Sequence, residues 1–174
     1  KDINSHHYRR LAYDEILSNL LTLSKVRQRI KKLKKNIKKF DFKLSNTVIS
    51  NFNFNLTLDQ KKVIDEINDD LKSEYKMFRV LQGDVGSGKT IVSLVAIANV
   101  IRSNYQAALM APTEILANQH FKLSKEIFEG TGIKIGLLTG KIKPKEKKII
   151  LQNLIDGKIN FLIGTHAIFQ KSVN

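Results

Sequence analysis

The sequence predicts an α/β fold with a parallel sheet covered on both faces, and three observations carry that expectation. Short apolar runs alternate with longer stretches of helical periodicity from Phe78 onward. Each run ends in a polar or glycine-containing pair. One run, Phe78-Arg79-Val80-Leu81, leads into Gln82-Gly83-Asp84-Val85-Gly86-Ser87-Gly88-Lys89-Thr90, which fits the spacing G-x-x-x-x-G-K-[ST] between a strand and a helix. Apolar strands joined by helices imply right-handed crossovers, so their carboxyl ends share one edge.

Residues 1–44 come first, with 13 basic and 4 acidic side chains (net +9), which leaves 17 and 12 (net +5) for residues 45–174. Ile16, Leu20, Leu23, Ile30, Leu33 and Ile37 recur at helical spacing, with Lys31, Lys32, Lys34 and Lys35 among the bases that fill the gaps and no acid between Ile16 and Phe40. The expectation is a long basic helix, 1–44, ahead of a second unit, 45–174. Two roles are open for it: lying along nucleic-acid phosphates, or docking its apolar stripe on a neighbouring domain. His6 and His7 are adjacent and have no evident third ligand, so a metal role is not expected.

Asn46 to Asn55 is rich in Asn, Ser and Thr and reads as a linker. Thr57 and Gln60 have capping-box spacing, and the helix they start carries Val63, Ile64, Ile67 and Leu71 toward a core. Ile91 to Ile101 is a nearly apolar helix. Ala107–Ala111, Ile133–Leu138 and Ile159–Ile163 are buried strands. Between them, Glu114–Phe128 is a helix with Ile115, Leu116, Phe121, Leu123 and Phe128 inward, and Lys145–Asp156 is one with Ile149, Ile150, Leu154 and Ile155 inward and Gly157 as terminator. The strand ends Pro112-Thr113, Thr139-Gly140 and Gly164-Thr165-His166 should share a rim with the glycine-rich loop.

The loop's chemistry follows from its residue types. Glycines let successive N–H groups turn inward and cradle phosphate oxygens, over Gly83, Asp84, Val85, Gly86, Ser87 and Gly88. Lys89 supplies charge to the β- and γ-phosphates, and Thr90 offers a hydroxyl to Mg²⁺. Lys89 and Thr90 are thus the candidate catalytic residues, with Thr90 the candidate metal ligand.

Composition sets bounds. The formal charge of +14 suits a polyanionic partner such as nucleic acid, although 24 of the 30 bases are lysines and an AT-rich coding sequence alone would give that bias. There is no cysteine, so disulfides and cysteine-bound zinc are excluded. No apolar run reaches the roughly 20 residues of a membrane span, and the opening residues lack a signal-peptide core, so the cytoplasm is expected.

With these residues assembled, the chain resembles the DNA helicases of superfamily 2, and within them the translocases that act on branched DNA. Gln82–Thr90 resembles motif I, Met110–His120 resembles motif Ia, and Gly164-Thr165-His166-Ala167 resembles the segment that follows. Phe54–Gln60 is similar to the family's glutamine motif, and Tyr8–Glu15 to the stretch that joins a DNA-binding wedge domain to the motor. The resemblance implies a RecA-like P-loop NTPase lobe, incomplete, with ATP and Mg²⁺ as cofactors and forked or branched DNA as partner. Gln60 would contact the adenine edge, beside its capping role. Pro112, Thr113, Thr139, Gly140, Gly164 and Thr165 would touch the phosphodiester backbone, with His166 next to them.

The family pattern also places an Asp-Glu pair on a later strand, a second RecA-like lobe with an arginine finger, and the wedge domain, none of which this sequence contains. The expectation is therefore a central piece of a longer protein, inactive in turnover alone. A transcription-repair coupling translocase shares the Gly-Asp-Val-Gly and Gly-Thr-His segments and stays open as an alternative. A kinase, GTPase or transporter ATPase lacks support, since neither Asn-Lys-x-Asp nor Leu-Ser-Gly-Gly occurs. A non-enzymatic nucleic-acid binder is the third class.

Overall fold

The computed structural model describes residues 5–31, 33, 43–52 and 55–169. The expectations for Lys32, Lys34, Lys35, Ile37 and Phe54 lie outside the described residues. The elements run α1 (His6–Lys31), α2 (Lys43–Ser50), α3 (Leu58–Lys72), α4 (Lys89–Arg102), β1 (Ala107–Met110), α5 (Glu114–Ile127), β2 (Ile135–Leu138), α6 (Pro144–Ile155), β3 (Phe161–Gly164) and a 3₁₀ turn at His166–Phe169. They form two compact units, one containing α1 with Asp70–Val80, the other containing α2, most of α3 and the chain from Leu81.

In the first unit, the Ser5 hydroxyl accepts the Tyr8 amide at 3.3 Å and caps α1. Leu11, Ile16, Leu20 and Leu23 lie exposed along the helix. The Lys76 amide donates to the Leu33 carbonyl, and the Arg79 guanidinium pairs with Asp70 at 2.8 Å. The strand expected over Phe78–Leu81 does not form: Phe78 and Val80 are exposed, and no ladder among the described residues includes them. An apolar run has strand propensity, but a strand exists only where a partner supplies the ladder.

In the second unit, β3 lies between β1 and β2, parallel to both. All four β3 residues are buried, as a strand covered on both faces requires. Alternation assigns the faces. Phe161 meets the Phe128 ring edge-on at 5.9 Å, so α5 covers one side. Leu162 and Leu138 cluster with Ile150 and Leu154, so α6 covers the other. Two inward assignments on α6 are corrected, since Ile149 and Ile155 are exposed, and Ile115 and Leu116 of α5 are exposed as well. These helices carry apolar residues over a wider arc than the sheet can cover.

The linker expected from Asn46 is also corrected. Residues 43–50 are α2, which packs on α4 with Val48 fully buried. Asn51 then donates through Nδ2 to the Ile127 carbonyl at 2.8 Å, satisfying a carbonyl at the end of α5. Composition read this segment as a linker; tertiary packing made it a clamp.

Close approach inside the sheet gives a test. A Cβ on Gly164 would strike the Leu138 carbonyl oxygen and lie 3.1 Å from Ile168 Cγ1. Gly164→Ala should therefore destabilise the chain by about 1–3 kcal/mol, seen as a lower urea midpoint. An unchanged midpoint would mean that β2 and β3 part without cost.

Candidate nucleotide site and strand-end rim

The loop is built between two helix starts. At the start of α3 the Thr57 amide donates to Gln60 Oε1 at 2.9 Å, and the Gln60 amide donates to Thr57 Oγ1 at 3.2 Å. This is the reciprocal capping box that the spacing predicts. The same Gln60 side chain goes further: its Nε2 donates to the Ser87 carbonyl at 2.9 Å and ties α3 to the loop. Spacing alone gave no sign of that second bond.

Gly86 and Gly88 hold φ of +83° and +82°, where a Cβ is strained. At Gly88 a Cβ would also run into Gln60 Nε2, so the clamp needs glycine there on both counts. Ser87 closes a turn on the Asp84 carbonyl at 3.2 Å, and Val85 is fully exposed at the tip. Lys89 and Thr90 are the first residues of α4. The Lys89 ammonium lies over the loop, donating to the carbonyls of Gly83 at 2.7 Å and Asp84 at 2.6 Å. A cleft of about 390 Å³ is lined by Gln60, Gly83, Asp84, Ser87, Lys89 and Val92. A cation beside a glycine-made cradle at a helix start fits a phosphate chain.

The rim is set by register. Met110, Gly164 and Leu138 are aligned partners, so all three strands end level. The Ala111 amide donates to Gly164 O at 2.8 Å and the Thr165 amide to Leu138 O at 3.2 Å, which carries the pairing into the polar ends. Pro112-Thr113, Thr139-Gly140 and Gly164-Thr165-His166 therefore lie along one edge. Thr113 caps α5 by accepting from the Leu116 amide at 3.3 Å. Pro112, Thr113, Gly140 and His166 are exposed, Thr165 is half-buried, and Thr139 and Gly164 are buried. Only four residues join α4 to β1, so α4 runs antiparallel to the strand it packs on and carries the loop toward this edge.

Sequence reasoning passed over an ion pair at the rim, Lys141 Nζ to Glu114 Oε2 at 3.1 Å. It also passed over Asn99, where an amide inside the apolar run Ile91–Ile101 was the available signal and the structure finds it buried. Asp156, the last acid in the chain, sits at the opposite edge, between α6 and the start of β3. Hydrogen bonds from Lys158 and Gln152 hold its carboxyl below the usual range. Among the described residues no three His, Asp or Glu side chains converge as a metal site.

The DEAD/DEAH box helicase pattern matches residues 57–174, more than half of the chain. The chain belongs to the DEAD/DEAH box helicase family. Its helicase relatives include the ATP-dependent DNA helicase RecG of Aquifex aeolicus, 42% identical over 96% of this chain and 21% of that protein. RecG of Thermotoga maritima is 42% identical over 95% of this chain and 21% of its own length. RecG of Bacillus subtilis is 41% identical over 95% and 24%. A solved structure of RecG bound to a three-way DNA junction superposes with a TM-score of 0.85 at 42% identity, covering 95% of this chain and 23% of that one. The chain thus spans about a fifth to a quarter of the length of these relatives.

Gly88→Ala tests the loop. The strained φ and the displaced Gln60 amide should cost about 1–3 kcal/mol of stability and weaken binding of a magnesium nucleotide measured by calorimetry. Parental stability and affinity together would show that Gln60 does not need to reach Ser87.

Proposed function

We propose that this chain supplies the nucleotide-binding lobe of an ATP-dependent DNA helicase or translocase that acts on branched DNA, such as forks and recombination intermediates, in the cytoplasm. The observation that carries the reading is the level strand-end rim beside a phosphate loop. A motor that tracks a strand needs nucleotide and phosphodiester contacts on one rigid edge, so that a change at the first is felt at the second. The similarity to RecG, including the form bound to a three-way junction, supports the choice of branched DNA.

In this reading Gly83 to Gly88 cradle the phosphates through their amides, and Lys89 neutralises the β- and γ-oxygens. Gln60 has one amide hydrogen and one lone pair beyond those used for Ser87 and Thr57, enough to meet an adenine edge. Thr90 would hold Mg²⁺, which when bound supplies charge to the phosphoryl oxygens. Pro112, Thr113, Gly140, Thr165 and His166 would meet DNA phosphates, while the buried Thr139 and Gly164 shape the rim. No helix among the described residues is long and apolar enough to cross a membrane.

Lys89→Ala should weaken magnesium-ATP binding by about ten- to a hundredfold, since a charge-assisted interaction is worth roughly 1.5–3 kcal/mol. Equal affinity by calorimetry would remove the loop from the proposal. DNA binding should be indifferent to base sequence and fall steeply with salt. Removing one cationic phosphate interaction should lower the log–log slope by about 0.7 on single strands, so replacing the exposed rim cation in Lys141→Gln should reduce it, and a slope equal to the parent's would argue against the rim.

A further inference from the structure

We infer that Asn68 and Asn99 are a positioning pair that sets Gln60 against the phosphate loop. Asn99 is out of place by composition: it is 0% exposed within the apolar stretch of α4. A buried amide is costly unless bonded. Its Nδ2 donates to Asn68 Oδ1 at 2.8 Å, while its Oδ1 has no hydrogen-bond partner among the described residues. An apolar residue of similar size would avoid that cost, so this bond contributes specificity more than stability.

What it specifies follows from where it sits. Gln60, Ile64 and Asn68 fall on one stripe of α3, and Val92, Val95 and Asn99 on one stripe of α4. Gln60 and Val92 both line the cleft. At a rise of 1.5 Å per residue, the asparagine bond lies about 12 Å along α3 and about 10 Å along α4 from those residues. The nucleotide loop and its helix are thus bonded to α3 at two points: Gln60 to the Ser87 carbonyl, and Asn68 to Asn99 about two turns on. With one point, the direction of α3 rests on the apolar packing of Ile64 and Ile67 alone, which tolerates small slides. The second bond fixes the tilt and register of α3 along α4 while the buried Ile64 and Ile67 limit its rotation, and together they set the direction of the unused donor and lone pair of Gln60. The inference rests on the reading of Gln60 as the residue that meets the base.

The full chain would be titrated by calorimetry with magnesium ATP and magnesium GTP, with urea midpoints taken on the same samples. In Asn68→Leu/Asn99→Leu the midpoint should stay equal or rise, while the preference for ATP falls about fivefold, the size of one neutral hydrogen bond. Asn68→Asp keeps an acceptor for Asn99 Nδ2 and should keep the preference. Asn68 is only half-buried, so Asn68→Ala makes the same test should the double variant not fold, and its preference should also fall. Undiminished preference in the alanine or leucine variants overturns the inference and leaves the pair as core packing. Gln60→Ala separates the two levels: if it keeps the preference, Gln60 does not read the base and both ideas fall, whereas if it alone loses the preference, only the inference falls.

Discussion

Strand β3 is hydrogen-bonded on both sides, and its four residues are buried on both faces. Because pairing is parallel and residue-matched, a single register aligns Met110, Gly164 and Leu138. Side chains alternate with a period of two, so a slip by one residue would turn Phe161 away from Phe128 and expose it to α6. The strand ends beyond this register, and so the rim, inherit their alignment from it. A Cβ on Gly164 would strike the Leu138 carbonyl oxygen, so this buried member of the rim shapes the edge through close backbone approach.

The loop depends on a second constraint, the sharing of one side-chain amide. Gln60 caps its own helix through Oε1 and bonds the Ser87 carbonyl through Nε2, so helix start and phosphate loop cannot move independently. Gly88 permits this by lacking a Cβ where the amide passes. Neighbouring bonds extend the same logic along the edge: Thr113 fixes the start of α5, and Glu114 reaches Lys141 past the end of β2. The polar residues of this edge are thus held by local bonds to rigid elements, which fixes their geometry.

Much of this was legible in the sequence, for physical reasons that differ by element. The capping box, the loop spacing and the three strands carry local signals, in the form of side-chain chemistry at fixed offsets and apolar runs bounded by polar pairs. Residues 43–50 carried a mixed signal. Leu44 and Val48 are spaced for a helix, but the surrounding Asn, Ser and Thr favour turns, and the helix forms because Val48 has α4 to pack on. Phe78–Leu81 failed in the other direction, with strand propensity and no ladder. The Gln60–Ser87 and Asn68–Asn99 bonds join residues 27 and 31 positions apart, a relation no local pattern encodes.

The central claim is that nucleotide and DNA phosphates meet this chain on one edge, at adjoining but separate residues. Amide chemical-shift mapping on isotope-labelled chain, with magnesium ATP and with a short single-stranded DNA titrated separately, measures this directly. The account predicts that ATP shifts residues 57–60 and 83–90, that DNA shifts 113, 139–141 and 165–166, and that each ligand's set is retained when the other is present. DNA shifts confined to α1, with the strand ends silent, would contradict it.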